Sequence, residues 1–250
     1  MQTLAITGAA GHIGSVLRRG LRRPGRRLVL LDLTPIEPED GGEDARVIDV
    51  RDLSATAAAL TGVEGVVHLA GIPTEDRWER ILEANIVGTY NVLEAARSGG
   101  TRRVVFASTN HVTGFAGVGE DVGPDTPVRP DSLYGVSKSF GESLGRLYAD
   151  KHGLEVACLR IGSFKERPEE VRDLSTWLSH RDAVSLFAAC LAAPLSFEIV
   201  YGVSANTRSW WSGEAGARIG FSPQDDAERY AEDVARLGEV YTHQGGPFVG

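Results

Sequence analysis

The stretch ITGAAGHIG, residues 6–14, closes an apolar run and opens a helical pattern. Its three glycines, Gly8, Gly11 and Gly14, answer three different physical needs. Lack of a Cβ lets the chain turn tightly off a strand at Gly8 and approach a pyrophosphate at Gly11. At Gly14 it lets the new helix lie close to that strand. The helix start then offers unpaired N–H groups to an anion. A glycine triplet alone is a weak signal, but strand, triplet and helix stand here in the order a dinucleotide site requires. Gly8, Ala10, Gly11, His12, Ile13 and Gly14 are therefore the candidate residues for the phosphate end of a cofactor.

Outward from this turn, short Val/Ile/Leu runs alternate with longer helical patterns. TLAIT (3–7), RLVLLDL (27–33), ARVIDV (45–50), EGVVHLAG (64–71), RRVVFAS (102–108), LEVACLRIG (154–162) and FEIVYGVS (197–204) read as strands. Two long helices are expected over about 76–98 and 132–152. Apolar runs without polar alternation indicate strands buried on both faces, and helices between them make the sheet parallel. The expected class is α/β, a Rossmann-type doubly wound parallel sheet with a small C-terminal annex. The chain is expected to form one domain over 1–250, with 1–162 mainly cofactor-binding core and 163–250 mainly substrate-binding annex plus the last strand.

Composition narrows the classes. The 250 residues are 42% hydrophobic and 24% charged, enough for a packed core, and the net charge of −8 disfavours nucleic acid and anionic membranes as partners. RRGLRRPGRR (18–27) holds six arginines and admits a nucleic-acid reading, but the end and solvated face of the first helix is the simpler one. Cys158 and Cys190 have no metal-ligand spacing and sit in apolar patterns, so buried thiols and no metal are expected. No apolar stretch reaches the ~18 residues of a membrane span, and with no leader pattern the expected location is cytoplasmic.

Asp32 closes the second strand, 18 residues past Gly14. A carboxylate there accepts both ribose hydroxyls of an adenosine and repels an added phosphate, and no arginine follows directly, so NAD is expected rather than NADP. Asp49 and Val50, at the end of the third strand, are expected beside the adenine, with a helix-capping role for Asp49 as the alternative. Leu69, Ala70 and Gly71 close the fourth strand, and with Ile161 complete the expected cofactor contacts.

YGVSK places Tyr134 and Lys138 four residues apart, on one helix face. A free phenol with a pKa near 10 is a poor base at neutral pH, and a neighbouring ammonium stabilises its ionised form. With the glycine turn, HLAG and Asp32, this pair resembles the extended short-chain dehydrogenase/reductase family. The resemblance implies that Tyr134 moves a proton, that Lys138 also holds the nicotinamide ribose, and that Thr109, at the end of the fifth strand, holds the reacting oxygen. It also implies that Asn85 supports the lysine and the cofactor site; a packing role inside its helix is the alternative. The two long helices resemble those that pair between subunits in that family, so a homo-oligomer is expected.

Two further segments, ASTNHVTG (107–114) and RIGSFKERPEEVRDLSTWLSHRD (160–182), resemble the uronate dehydrogenases, as do YGVSANTRSWW (201–211) and QGGPFV (244–249). The resemblance spans the chain and implies NAD-dependent oxidation of D-glucuronate or D-galacturonate at the anomeric carbon to the aldarolactone. It assigns the sugar carboxylate to Arg172, whose planar fork suits it. It assigns the rest of the sugar to Thr109, Asn110, His111, Tyr134 and Ser163. Arg172 as a solvated arginine and His111 as a structural hydrogen-bonder are the plain alternatives. Trp177, Trp210 and Trp211 read as packing residues, and His180 as a helix cap or a subunit contact. Pro73 stands where that group has a serine, which leaves Thr74 to take over its contact; Phe164 and Lys165 also depart from the smaller residues expected. The rivals are a nucleotide-sugar epimerase or dehydratase, for which the C-terminal region is short, and an NAD-sensing regulator, which needs neither Tyr134 nor Lys138.

Overall fold

This computed structural model describes residues 1–234 and 241–249; of the expected annex, 235–240 and 250 lie outside the described residues. Seven strands form one sheet: β1 (Thr3–Thr7), β2 (Arg27–Asp32), β3 (Glu43–Val47), β4 (Gly65–His68), β5 (Arg103–Thr109), β6 (Glu155–Ile161) and, after a short two-stranded pair β7 (Ser163–Phe164) and β8 (Trp177–Leu178), β9 (Phe197–Gly202). Their order is β3-β2-β1-β4-β5-β6-β9. The pairs from β3 through β5 are parallel, with Ala5 opposite Val29 and Val66. The order reverses between β1 and β4, and open α/β sheets bind ligands beyond the carboxyl ends of the strands at such a point.

Contacts divide the chain into two units: 1–107, 140–158 and 195–198 in the first; 108–139, 159–194 and 199–250 in the second. In the first, Leu4–Ile6, Leu28–Leu31, Val66–Val67 and Val104–Val105 are buried, as continuous apolar runs should be. Its helices are α1 (His12–Gly20), α2 (Leu53–Leu60), α3 (Trp78–Ile81), α4 (Gly88–Ser98) and most of α5 (Leu133–His152). A π-helical segment, Leu82–Val87, joins α3 to α4, so the first long helix begins at Trp78 and is not α-helical throughout. The second unit contains α6 (Asp173–Thr176) and α7 (His180–Ala192), with small apolar clusters around Tyr201 and Trp211 and around Leu174 and Trp177. Cys158 and Cys190 are both buried, and no described helix is long and apolar enough to cross a membrane.

Two of the boundary differences bear on the site. β3 stops at Val47, not at Val50: after Ile48 donates to the Asp32 carbonyl, Asp49 bends the chain and its carboxylate accepts the Arg51 N–H at 2.9 Å. β4 stops at His68, so Leu69–Gly71 lie just past it.

The arginine run is tied down more firmly than a solvated helix end. Arg18 and Arg22 each place a guanidinium nitrogen 2.5 Å from the Glu43 carboxylate, whose side chain is wholly buried. The hydrogen bond from Arg18, with others from Glu39 N–H and Arg22, holds the Glu43 carboxyl down at about 2, against an unfolded value near 4.3. Such a depressed acid stabilises the fold above the unfolded pKa and loses that contribution as pH falls through the folded one. Glu43→Gln should therefore cost about 2–3 kcal/mol at neutral pH and flatten the acid-unfolding curve between about pH 4 and 2, as read by circular dichroism.

Candidate active site

In the first unit, the glycine turn has the shape its sequence demands. Gly8 adopts φ 70°, and a Cβ there would fall 2.8 Å from the Ala70 nitrogen. A Cβ on Gly14 would fall 2.4 Å from the Gly8 carbonyl oxygen, so α1 and the turn pack at a distance only glycine allows. Gly11 is the N-cap of α1 and no side chain caps that end, while Ala10, Gly11 and His12 are exposed and Ile13 is half-buried. That leaves helix N–H groups available to an anion. Asp32 secures the same turn: its two oxygens accept the N–H groups of Ala10 and Thr34, both at 2.9 Å. Leu69 and Ala70 N–H groups donate to the buried Thr7 hydroxyl, which also meets His68 Nδ1 at 2.8 Å.

Asp49 is bound up with Arg51, whose hydrogen bond lowers the carboxyl pKa. The loop behind it is pinned by Asn91, which donates to the carbonyls of Val50 and Arg51. Asn85 is buried in the π-helical segment, and its amide forms two hydrogen bonds with the main chain of Ile72, at 2.7 and 3.0 Å. Asn85 thus holds the loop that carries Pro73 and Thr74; Thr74 itself is exposed.

The second unit gathers the catalytic candidates. Thr109 is the last residue of β5, buried, and its hydroxyl accepts the His111 N–H at 3.3 Å. A tight helical turn, Asn110–Thr113, follows it, so three consecutive polar side chains fan out from one strand end. Tyr134 and Lys138 lie in the first turns of α5, where Ser132 Oγ accepts the Gly135 N–H as an N-terminal cap. Gly135 is required by proximity: a Cβ would meet the His111 carbonyl at 2.6 Å. Burial pushes the Tyr134 phenol up to about 12, with a hydrogen bond from Thr109 pulling it back in part. Burial also lowers Lys138 to about 8, and its Nζ lies 5.8 Å from the Tyr134 ring centroid.

Arg172, expected as an exposed arginine if it had no special role, is buried. Its Nε and Nη2 donate to the Gln244 carbonyl at 2.9 and 2.7 Å, and its Nη1 to Ser163 Oγ at 3.1 Å. In the amide orientation that satisfies both of its ends, Asn110 accepts from Arg172 Nη2 at 2.9 Å and donates to the Ile161 carbonyl at 3.1 Å. All of these acceptors are neutral, and among the described residues no carboxylate pairs with the guanidinium. Burial lowers the Arg172 pKa, and the charges of Glu170, Asp173 and Asp131, none of them hydrogen-bonded to the guanidinium, offset that only in part.

The second unit therefore brings together Thr109, Asn110, His111, Tyr134, Lys138, Ile161, Ser163 and Arg172. Trp177 and Trp211 are buried packing residues whose indole N–H groups reach the Lys165 carbonyl and Gln244 Oε1, and Trp210 packs beside Trp211. His180 is the first residue of α7 and stacks on Phe164, 4.7 Å between centroids. Lys165 spans to Asp173 at 2.8 Å and closes the 165–173 loop. Three residues escaped the sequence reading: Asp131, 2.7 Å from His111 Nδ1; Gln244, through its carbonyl; and Phe248, whose ring lies 3.9 Å from that of His111. Asp-Ser before a helix was a legible cap signal for the first, and the Gly245-Gly246 pair hinted at a crowded main chain for the others.

The NAD dependent epimerase/dehydratase family matches residues 4–165. A uronate dehydrogenase of Agrobacterium fabrum (strain C58 / ATCC 33970) is 44% identical, covering 100% of this chain and 97% of that protein. The crystal structure of uronate dehydrogenase from Agrobacterium tumefaciens, as a tyrosine-to-alanine variant complexed with NAD, matches at a TM-score of 0.95 and 44% identity, over 100% of this chain and 97% of that one. An L-arabinose 1-dehydrogenase (NAD(P)(+)) of Haloferax volcanii is 38% identical, over 93% of this chain and 100% of that protein.

Proposed function

We propose, for a chain that belongs to the NAD-dependent epimerase/dehydratase family, that it oxidises a hexuronic acid, D-glucuronate or D-galacturonate, at the anomeric carbon to the aldarolactone with release of NADH. The observation that carries the substrate class is Arg172, a buried guanidinium whose hydrogen bonds all go to neutral acceptors. Keeping a buried cation with no carboxylate in direct contact is costly, and an anionic ligand paired to it removes the cost. A bidentate carboxylate is the best geometric match.

The chain fits NAD on its own features: a turn where a Cβ on Gly8 or Gly14 would collide with main chain, an uncapped helix start, and the Asp32 carboxylate. Gly8, Ala10, Gly11, His12, Ile13 and Gly14 would hold the pyrophosphate, Asp32 the adenosine ribose, and Asp49 and Val50 the adenine. Leu69, Ala70, Gly71, Asn85, Tyr134, Lys138 and Ile161 would serve the nicotinamide half. NAD supplies one thing, an acceptor for the hydride on the anomeric carbon.

The chain's own residues do the rest. Arg172 takes the sugar carboxylate; Asn110, His111, Ser163 and Thr74 take hydroxyls; Thr109 donates to the reacting oxygen. Tyr134, as phenolate, removes the proton of the anomeric hydroxyl. A phenol held near 12 by burial needs positive charge beside it, and an amine with a pKa of about 8 is still mostly charged at pH 7. Lys138 supplies that charge from the next turn of α5.

The test mixes the protein and NAD with D-glucuronate, D-galacturonate, L-arabinose or a nucleotide sugar, and follows NADH. Growth with the two uronates is expected; growth with arabinose alone, or with none, overturns the reading. Asp32→Asn keeps an oxygen for the Ala10 N–H but removes the charge that rejects a second phosphate. The preference for NAD over NADP should narrow about tenfold in steady-state kinetics.

A further inference from the structure

The side chain of His111 is enclosed by the second unit. Its Nδ1 lies 2.7 Å from Asp131 Oδ2, and that carboxylate has no solvent exposure. The Phe248 ring covers it at 3.9 Å between centroids, and Tyr134 stands edge-on at 6.0 Å. The other oxygen of Asp131 accepts the Ser132 hydroxyl at 2.8 Å, and Ser132 in turn caps the helix that carries Tyr134. Two glycines clear the space for this carboxylate: a Cβ at Gly114 or Gly245 would fall 1.8 or 2.0 Å from Asp131 Oδ2. Three segments of the chain are thus arranged around one acid.

A buried carboxylate is tolerated only where its lone pairs are used. An ionised carboxylate can only accept hydrogen bonds, so the proton of the neutral imidazole must sit on Nδ1. Nε2 is then an acceptor, and it has no partner among the described residues. An acceptor backed by a fixed negative charge suits a hydroxyl donor and repels a carboxylate. Arg172 has the opposite preference.

We propose that Asp131 is a positioning residue for the reaction assigned above, on which this inference rests: it locks His111 as the Nδ1–H tautomer, so that Nε2 accepts from a sugar hydroxyl. The site is thereby polarised, with the sugar acid able to bind in one direction, carboxylate toward Arg172 and a hydroxyl toward His111.

Asp131→Asn preserves the volume that Gly114 and Gly245 accommodate, but an amide can donate to Nδ1 and so admits the Nε2–H tautomer. The tautomer is read by nitrogen-15 NMR of the imidazole, and steady-state kinetics with D-glucuronate are measured alongside. The expected result is Nδ1–H in the wild type, a shift toward Nε2–H in Asp131→Asn, and a rise in KM of about tenfold or more with a smaller change in kcat. Nε2–H in the wild-type protein overturns the proposal, and needs no variant to be folded. Unchanged KM in a folded Asp131→Asn overturns it as well. Absence of NADH formation by the wild type with either uronate is a separate result, and removes the reading beneath it.

Discussion

Turnover of D-glucuronate by a Tyr134→Phe variant is expected to fall by about 10²–10⁴-fold, the usual weight of a positioned general base, while NAD still binds. Phenylalanine fills the same volume, so the edge contacts of this ring with His111 and Phe248 persist and the fold should hold. What disappears is the one oxygen whose pKa burial raises and the Thr109 hydrogen bond partly brings back. NADH absorbance gives turnover, and calorimetry with NAD gives binding. A variant that turns over at the wild-type rate would show that another group takes the proton. One that loses NAD affinity in step with turnover would show that the hydroxyl acts through cofactor binding and not as the base.

Arg172→Lys is expected to raise KM for uronates about 100-fold, with much less effect on kcat. Lysine keeps the charge but not the planar fork, and an ammonium cannot satisfy the Gln244 carbonyl, Ser163 Oγ, Asn110 and a carboxylate at the same time. Two charge-assisted hydrogen bonds of about 1.5 kcal/mol each give the factor. Any residual activity on a neutral aldose should change little. Equal losses on both substrate types would mean that Arg172 shapes the site through Gln244 and Asn110 without holding the carboxylate.

What the residues revealed unaided was whatever depends on neighbours in sequence. Gly11 and Gly14 meet their constraint at the Gly8 carbonyl, within seven residues, and Tyr134 and Lys138 lie about one helical turn apart. The strand runs announced themselves because both faces of a parallel sheet are buried. Partners far along the chain left no such trace. Glu43 tames Arg18 and Arg22 from more than twenty residues away, so the arginine run read only as a helix end. Asn85 sits in a π-helical segment that no local pattern signals, and its bond to Ile72 is a loop contact absent from the sequence reading. Asp49 was placed on a strand because Ile48 and Val50 look like one, but an Asx turn prevails there. The Arg172 assignment came by resemblance; the neutral acceptors that give it physical content include the carbonyl of Gln244, 72 positions downstream.

That last acceptor has a practical corollary for mutagenesis. Arg172 is oriented by a main-chain oxygen, and every amino acid at position 244 carries the same one. Alanine scanning would strip Gln244 of its bonds to Trp211, Gly117 and Glu120, yet leave the oxygen itself in every variant made. A residue can thus score as a mere packing element while its peptide group aims the guanidinium; substitutions at Gly245 or Gly246, which displace the peptide, would expose what side-chain truncation hides.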